Sequence, residues 1–225
     1  MEIIQIPQDQ ITSSNLKVLC MKFRDARLEA LKADPTAFSM TYEQESAFSD
    51  ADWAKRLQSP LAKTFVAILL DTPFGDAMDK LVSNEWVGMI VLLGPKVSVA
   101  STNIEYPWDL FSAGKDNTSI LPDSPSAVRS AEATYFEVSM FVLSRARNRG
   151  IGWKLIETSV AEAEREGRAL LASKLTVCLV ADANNERAIR LYEKFGFRFV
   201  AAVQDLQYLT RTVPPIGMAQ TKSLA

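Results

Sequence analysis

The 225-residue sequence contains no histidine, two cysteines and no long apolar run. Without histidine the chain can form neither a Ser-His-Asp triad nor a histidine metal site, so acid–base chemistry must use Glu, Asp, Tyr, Lys, Cys or water. Cys20 and Cys178 lie far apart within apolar patterns, which is typical of buried free thiols rather than a disulfide or a metal pair. We therefore expect no metal site.

Charge and hydropathy argue against two further classes of protein. The formal net charge is −2 with both signs scattered, so no basic surface favours nucleic acid. No apolar run is long enough to cross a bilayer, and Met1–Gln5 lacks a secretory pattern. We therefore expect a soluble cytoplasmic protein without a nucleic-acid or membrane partner.

The pattern of apolar residues predicts a mixed α/β sheet with helices on both faces. The length fits a single domain, which we place at residues 1–212, with an insertion between strands at 95–130 and a flexible C-terminal tail at 213–225. The predicted strands are 1–11, 64–70, 85–93, 135–142, 175–180, 197–203 and 206–210, and the predicted helices are 12–34, 50–57, 151–166 and 185–195.

The most informative stretch is a strand that leads into a glycine-containing turn and then a helix. Tyr135–Val142 is rich in β-branched and aromatic residues, and an amphipathic helix follows from Ile151. Between them lies Arg147-Asn148-Arg149-Gly150-Ile151-Gly152. The first turn of a helix offers unpaired N–H groups and a partial positive charge, which suit phosphate oxygens. We interpret this turn as a pyrophosphate cradle, with Arg147 and Arg149 as cationic donors.

Two common nucleotide motifs do not fit this turn. A Rossmann fingerprint needs a third glycine where Leu155 stands, and a P-loop needs lysine where Trp153 stands. A plain tight turn would also explain Gly150 and Gly152, so the interpretation needs a second motif.

That second motif is Asn185–Phe197, a short helix that Asn184 or Asn185 can cap and Gly196 can end. Its pattern N-x-x-A-x-x-L-Y-x-x-x-G-F is similar to a signature of the GNAT superfamily of N-acetyltransferases, and R-x-x-G-x-G after a strand resembles the acyl-CoA-binding loop of that superfamily. The resemblance is firm from about residue 85 to 199. It implies a GNAT-like, mostly antiparallel central sheet with a long insertion before the central strand.

The resemblance also implies acetyl-CoA as cosubstrate. Its pyrophosphate would lie on the amides of Arg149–Gly152, its pantetheine arm would lie along Met140–Val142, and the Met140 N–H would stabilise the oxyanion. Tyr192 would be the general acid for the CoA thiolate, and Asn185 would brace the cofactor arm or the helix start. The implied cofactor-binding residues are Met140, Phe141, Val142, Arg147, Asn148, Arg149, Gly150, Ile151, Gly152 and Asn185.

The general base is less well defined by the sequence. Several family members carry a glutamate six residues before the position of Val142, but this chain has Phe136 there. Glu137 is a candidate, although a regular strand points it to the opposite face and a bulge would be needed to turn it back. Water, or Glu43 or Glu45, could serve instead. In the family the connection between the first two helices lies over the acceptor, which makes Phe38, Tyr42, Glu43 and Glu45 candidates for acceptor contact, with an ordinary solvated loop as the alternative.

We therefore expect an acetyl-CoA-dependent N-acetyltransferase that acts on a primary amine of a small molecule or a peptide. The alternative is a non-catalytic acyl-CoA-binding regulatory domain. The carboxylates at 43 and 45 favour a cationic acceptor. The sequence leaves open the identity of the acceptor, the length of the acyl chain and the assembly, for which the family implies a homodimer through edge strands as one option.

Overall fold

The computed structural model describes residues 1–71, 74–98, 105–111, 131–203 and 214–224. The described strands are β1 (Glu2–Gln5), β2 (Ala62–Leu69), β3 (Glu85–Ser98), β4 (Glu132–Val142), β5 (Lys174–Ala181), β6 (Arg198–Ala202) and β7 (Ile216–Ser223). The described helices are α1 (Ser13–Ala33), α2 (Tyr42–Ser46), α3 (Asp50–Leu57), α4 (Ala77–Ser83), α5 (Ile151–Ala169) and α6 (Glu186–Phe195), with short 3-10 turns that include Ser144–Ala146 and Pro107–Phe111.

The strands form one mixed sheet in the order β1-β2-β3-β4-β5-β7-β6. β4 and β5 pair in parallel, whereas the β1–β2, β5–β7 and β6–β7 pairs are antiparallel. The predicted mixed, mostly antiparallel sheet with helices is confirmed. None of the described helices is both long and apolar enough to span a bilayer.

The helix boundaries follow local sequence signals. Thr12 caps α1 through a capping box with Asn15, as predicted. The apolar face predicted for α5 is fully buried and consists of Ile151, Leu155, Ile156, Val160 and Ala163. The two cysteines are free and buried, as expected.

The chain divides into two compact units, Met1–Val91 with Ser139–Thr158, and Leu92–Val138 with Ser159–Ala225. In the first unit, α1 packs on α3 through an edge-on contact of Phe23 with Trp53. In the second, Leu224, Ala133 and Leu175 surround Gly167 of α5. The prediction of a single domain over residues 1–212 stays a prediction.

The prediction of a flexible C-terminal tail is wrong, because residues 216–223 form strand β7. β7 lies between β5 and β6 and pairs with β5 over its whole length. The small and polar residues of β7 do not form a typical strand pattern in the sequence. Backbone hydrogen bonds to its two neighbouring strands and a Thr221–Thr176 hydroxyl contact of 2.9 Å stabilise it. The strand predicted at 206–210 and most of the insertion at 95–130 lie outside the described residues.

Candidate active site

The glycine turn lies in the first unit, at the predicted place between strand and helix. β4 ends at Val142, a 3-10 turn covers Ser144–Ala146, and α5 begins at Ile151. Asn148 and Gly150 have left-handed φ angles of 64° and 74°. Such conformations bend the chain sharply and can direct successive N–H groups to one side, as anion-binding turns do.

Glycine at position 150 is explained by its backbone conformation. A Cβ there would meet no protein atom within 4 Å, so φ rather than crowding favours glycine. The Lys154 N–H already donates to the Gly150 carbonyl at 3.1 Å, which starts the helical ladder. The N–H groups of Ile151 and Gly152 precede that ladder and have no intrahelical acceptor.

The end of β4 is held close to β3. The Leu143 N–H donates to the Val87 carbonyl at 2.8 Å. A Cβ on Gly88 would lie 2.9 Å from the Phe141 carbonyl oxygen, so this approach requires glycine at position 88. Ser139, just before this segment, has φ of 55°, which breaks the regular geometry of the strand.

The two arginines of the turn have different surroundings. The Arg147 guanidinium donates to the Val142 carbonyl at 2.8 Å and forms an ion pair with Asp34. Arg147 therefore joins the turn to the end of β4 and to the residue after α1. Arg149 is exposed and makes no ion pair with the described residues, which leaves its charge available to an anion.

The connection between α1 and α2 lies against the same segment of the first unit. The Phe38 ring meets the Phe141 ring edge-on with centroids 6.4 Å apart, and the Arg27 guanidinium lies over the Phe38 ring, 4.2 Å from its centroid. Together with the Asp34–Arg147 pair, these contacts place residues 34–38 beside the end of β4 and the turn.

Glu45 does not have the surroundings expected of an acceptor-binding group. Its side chain is completely buried and forms ion pairs with Arg27 at 2.7 Å and Arg56 at 3.0 Å. The expectation that Glu45 contacts substrate is therefore corrected to a structural role. Glu43 is exposed, and hydrogen bonds from its own backbone and from Thr41 lower its pKa, which favours the ionised form.

The second unit holds the residues expected to move protons. Asn185 caps α6 by accepting from the Ala188 N–H at 3.1 Å, and Gly196 ends the helix with φ of 109°, both as the sequence predicts. The Asn185 side chain is thereby used at the helix start. Tyr192 on this helix is buried, and its ring meets the Phe197 ring edge-on at 5.9 Å. Burial, and the negative charge of Glu137, raise the pKa of the Tyr192 phenol, which keeps it protonated.

Glu137 faces α5 from β4. It is 4% exposed, and one carboxyl oxygen, Oε1, accepts from the Ser159 hydroxyl at 2.5 Å. The other oxygen, Oε2, has no hydrogen-bond partner among the described residues. Burial raises the pKa of Glu137 to about 8, while the Ser159 hydrogen bond lowers it in part. A carboxyl in these surroundings is better suited to hold a proton than to accept one as a base.

Phe136, the preceding residue, has aromatic surroundings instead. It packs with Trp108, Cys178 and Val203, and its ring lies 5.5 Å from that of Phe111. The described part of the insertion thus covers the sheet beside Phe136. The left-handed residue of β4, Ser139, comes after Glu137 and does not turn Glu137 toward the Phe136 side.

The structure brings part of the predicted site together in the first unit, where the Arg147 guanidinium donates to the Val142 carbonyl. In the second unit Glu137 and Tyr192 are both buried. Sequence reasoning missed Ser159 and Asp34. Ser159 is a buried polar residue on the apolar face of α5, and that exception to the pattern was the signal available. Among the described residues, no group of three or more acidic or cysteine side chains could hold a metal ion.

Comparisons with known proteins agree with this arrangement. Residues 121–199 match the model of the Acetyltransferase (GNAT) domain. The structure is similar to Arabidopsis thaliana NAA60 in complex with a bisubstrate analogue, with 16% identity, a TM-score of 0.56, and coverage of 99% of this chain and 100% of that one. NAA60 in complex with acetyl-CoA gives 16% identity, a TM-score of 0.54 and coverage of 98% of each chain.

A second kind of relative has the same fold. Aminoglycoside 6'-acetyltransferase type Ii is 16% identical with a TM-score of 0.52, over 100% of this chain and 98% of that one. No curated protein sequence gave a significant match. The predicted resemblance to the GNAT superfamily is confirmed by the domain match and the shared fold.

Proposed function

We propose, from the GNAT acetyltransferase domain that residues 121–199 match, that this protein transfers an acetyl group from acetyl-CoA to a primary amine by direct attack. The observation that carries the proposal is the junction of β4, the glycine turn and α5. It combines left-handed residues, a helix start and an exposed arginine in the order that an anionic cofactor needs.

In this proposal the pyrophosphate of acetyl-CoA binds the amides of Arg149–Gly152. The first turn of α5 attracts negative charge, and Arg149 adds a charge-assisted donor. Arg147 would stabilise the turn, because its guanidinium already donates to the Val142 carbonyl and forms an ion pair with Asp34. Support from solved relatives comes from NAA60 in complex with acetyl-CoA and from an aminoglycoside 6'-N-acetyltransferase complexed with coenzyme A.

The pantetheine arm would lie along Met140–Val142, and the Met140 N–H would donate to the thioester oxygen. An N–H at this place would stabilise the tetrahedral oxyanion that forms when the amine attacks. Gly88 supports this role, because it allows β3 to lie against the backbone of Phe141.

Tyr192 would give its proton to the departing CoA thiolate. As the tetrahedral intermediate collapses, the bond between the acyl carbon and the CoA sulfur would break and the phenol proton would move to the sulfur. The tyrosinate would then regain a proton from solvent, which takes up the proton lost by the acceptor nitrogen. Burial and the raised pKa keep the phenol protonated at neutral pH, which a general acid requires. Asn185 contributes by capping the helix that carries Tyr192.

The acceptor would approach from the connection between α1 and α2. Phe38 touches Phe141, and Asp34 touches Arg147, so this connection is in contact with the segment proposed to hold the cofactor. The acceptor would be the amine of a small molecule or a peptide, and the exposed, ionised Glu43 favours one that carries positive charge.

Thiol release from acetyl-CoA tests the proposal. Purified protein would be incubated with acetyl-CoA and a panel of polyamines, aminoglycosides, amino acids and peptides with free N-termini. We expect turnover on one class of amine, with the acetyl group found on nitrogen by mass spectrometry. Binding of acetyl-CoA without turnover on any amine would contradict the enzyme and favour the regulatory alternative.

A further inference from the structure

The short turn between α1 and α2 is attached to the candidate site at both of its ends. Pro35–Ala37 form a 3-10 turn whose last N–H donates to the Asp34 carbonyl at 3.0 Å. Before this turn, the Asp34 carboxylate pairs with the Arg147 guanidinium. After it, the Phe38 ring meets the Phe141 ring with centroids 6.4 Å apart. The proline at the first position restricts the backbone, so a stiff segment links the two attachments.

Arg147 connects this turn to the segment proposed to hold the cofactor. Its Nε donates to the Val142 carbonyl at 2.8 Å, while its Nη2 pairs with the Asp34 carboxylate. One planar guanidinium therefore holds the end of β4 and the end of α1 at the same time. The position of the connection between α1 and α2 is thus tied to the end of β4.

Asp34 contributes little to the fold at this position. It caps the C-terminal end of α1, where the helix dipole disfavours a negative charge. It also precedes the 3-10 turn, but its side chain accepts no capping hydrogen bond there, although aspartate commonly does so at the start of a helix. The Asp34 and Arg147 side chains are 40% and 28% exposed, and ion pairs with this exposure add little stability. The value of the pair therefore has to be sought in the site.

A second ion pair joins the same two elements and provides a comparison. Glu29 of α1 pairs with Arg145 of the Ser144–Ala146 turn, and both side chains are about half exposed. Glu29 lies within α1, five residues before Asp34, and is not part of the connection. The two pairs are thus similar in type and differ in what they hold, which makes Glu29 the matched control for Asp34.

We propose that Asp34 is a positioning residue for the acceptor amine and that it acts through Arg147. The inference rests on the proposed acetyl transfer, in which the acceptor approaches from this connection. With the pair intact, residues 34–38 have a fixed position against the end of β4, and the acceptor meets a preformed surface. Without the pair, the Asp34 end of the connection is released. The acceptor then binds more weakly, while the groups that react are unchanged.

Steady-state kinetics of Asp34→Asn separates this role from a structural one. The substrate is the amine that the thiol-release panel identifies. We expect KM for the amine to rise about tenfold, with kcat and KM for acetyl-CoA within a few-fold of wild type. Glu29→Gln should leave all three constants within a few-fold. Asp34→Glu, which keeps the charge, should recover most of the wild-type KM for the amine.

Arg147→Ala, alone and combined with Asp34→Asn, tests whether Asp34 acts through Arg147. The double variant should have the same KM for the amine as Arg147→Ala, because both changes remove one interaction. Urea denaturation checks that each variant is folded.

Three results would overturn the inference for an active wild type. These are an unchanged KM for the amine in Asp34→Asn, an equal rise in Glu29→Gln, and an effect of Asp34→Asn that persists in full beside Arg147→Ala. Lack of acetyl transfer by wild type would instead overturn the proposed function, and the positioning role with it.

Discussion

At the scale of single residues, a carboxyl buried without a cation couples stability to pH. The unfolded chain releases the Glu137 proton near pH 4.5, whereas the folded chain holds it up to about pH 8. The unfolded state is therefore favoured progressively as pH rises between these values, and the cost levels off above pH 8. Burial without a cation therefore makes the carboxyl of Glu137 unfavourable for folding at neutral pH.

Glu137→Gln should remove this pH dependence. Relative to wild type, the free energy of unfolding of the variant should rise by about 4 kcal/mol between pH 5 and pH 8, since each unit of pKa difference corresponds to about 1.4 kcal/mol. Urea denaturation of both proteins at several pH values measures this difference. Profiles that run parallel from pH 5 to pH 8 would show that Glu137 is ionised in the folded protein.

Tyr192 and Tyr135 provide a matched pair of buried phenols. The Tyr135 hydroxyl donates to Glu166 at 2.9 Å, and the proposed reaction gives it no role. Tyr192→Phe should lower kcat by about 100-fold, the low end for loss of a general acid, and leave affinity for acetyl-CoA unchanged. Tyr135→Phe should leave kcat within a few-fold. Equal effects of the two substitutions would rule out a special role for Tyr192.

At the scale of elements, a close contact joins the described part of the insertion to β7. The Trp108 ring lies on Gly217 of β7, where a Cβ would come within 2.0 Å of Cη2. The Tyr106 ring stacks on the Trp108 ring with centroids 5.1 Å apart. Because Gly217 has no side chain, β7 can pass directly beneath the Trp108 ring.

Gly217→Ala should cost about 1–3 kcal/mol of unfolding free energy, because the new methyl group overpacks the Trp108 site. A double-mutant cycle with Trp108→Ala checks the cause. Once the ring is gone, the same substitution at position 217 should cost much less. An undiminished cost in the Trp108→Ala background would place the strain in the β7 backbone instead.

The first unit contains a second element-scale contact, the buried Glu45 between Arg27 and Arg56. Replacing Glu45 with glutamine would leave two guanidinium groups without their counter-charge. We expect a loss of about 3–5 kcal/mol in unfolding free energy, measured by urea denaturation. Glu43→Gln, two residues away and exposed, is the control and should have a far smaller effect. Similar losses for both would contradict the assignment of Glu45 to a structural pair.

The structure could be predicted from the sequence wherever a local pattern of residues determines the local structure. The apolar face of α5, the cap of α1 at Thr12 and the glycine end of α6 at Gly196 are of this kind. Prediction failed at β7, because pairing with two distant strands outweighs the low strand preference of Gly217 and Gln220. For the candidate site, the sequence indicated which types of residue are present. It did not predict the partners of Arg147 and Glu137, because these are Asp34 and Ser159, which are not close to them in the sequence.

At the scale of the whole molecule, fold and function have to be argued separately. The chain shares its fold with NAA60 and with an aminoglycoside 6'-acetyltransferase at only 16% identity, and one fold can host many activities. The activity is proposed instead from the residues at the glycine turn and around Tyr192. The binding of acetyl-CoA at that turn is the claim on which the other proposals depend.

Calorimetric titration with acetyl-CoA tests that claim most directly, using wild type, Arg149→Ala and Arg165→Ala. Arg149 is the exposed arginine of the turn, and Arg165 is an exposed arginine farther along α5 that pairs with Glu162. We predict binding by wild type, affinity about tenfold weaker for Arg149→Ala from loss of a charge-assisted phosphate contact, and unchanged affinity for Arg165→Ala. No binding by wild type, or equal weakening by both substitutions, would contradict a pyrophosphate site at the start of α5.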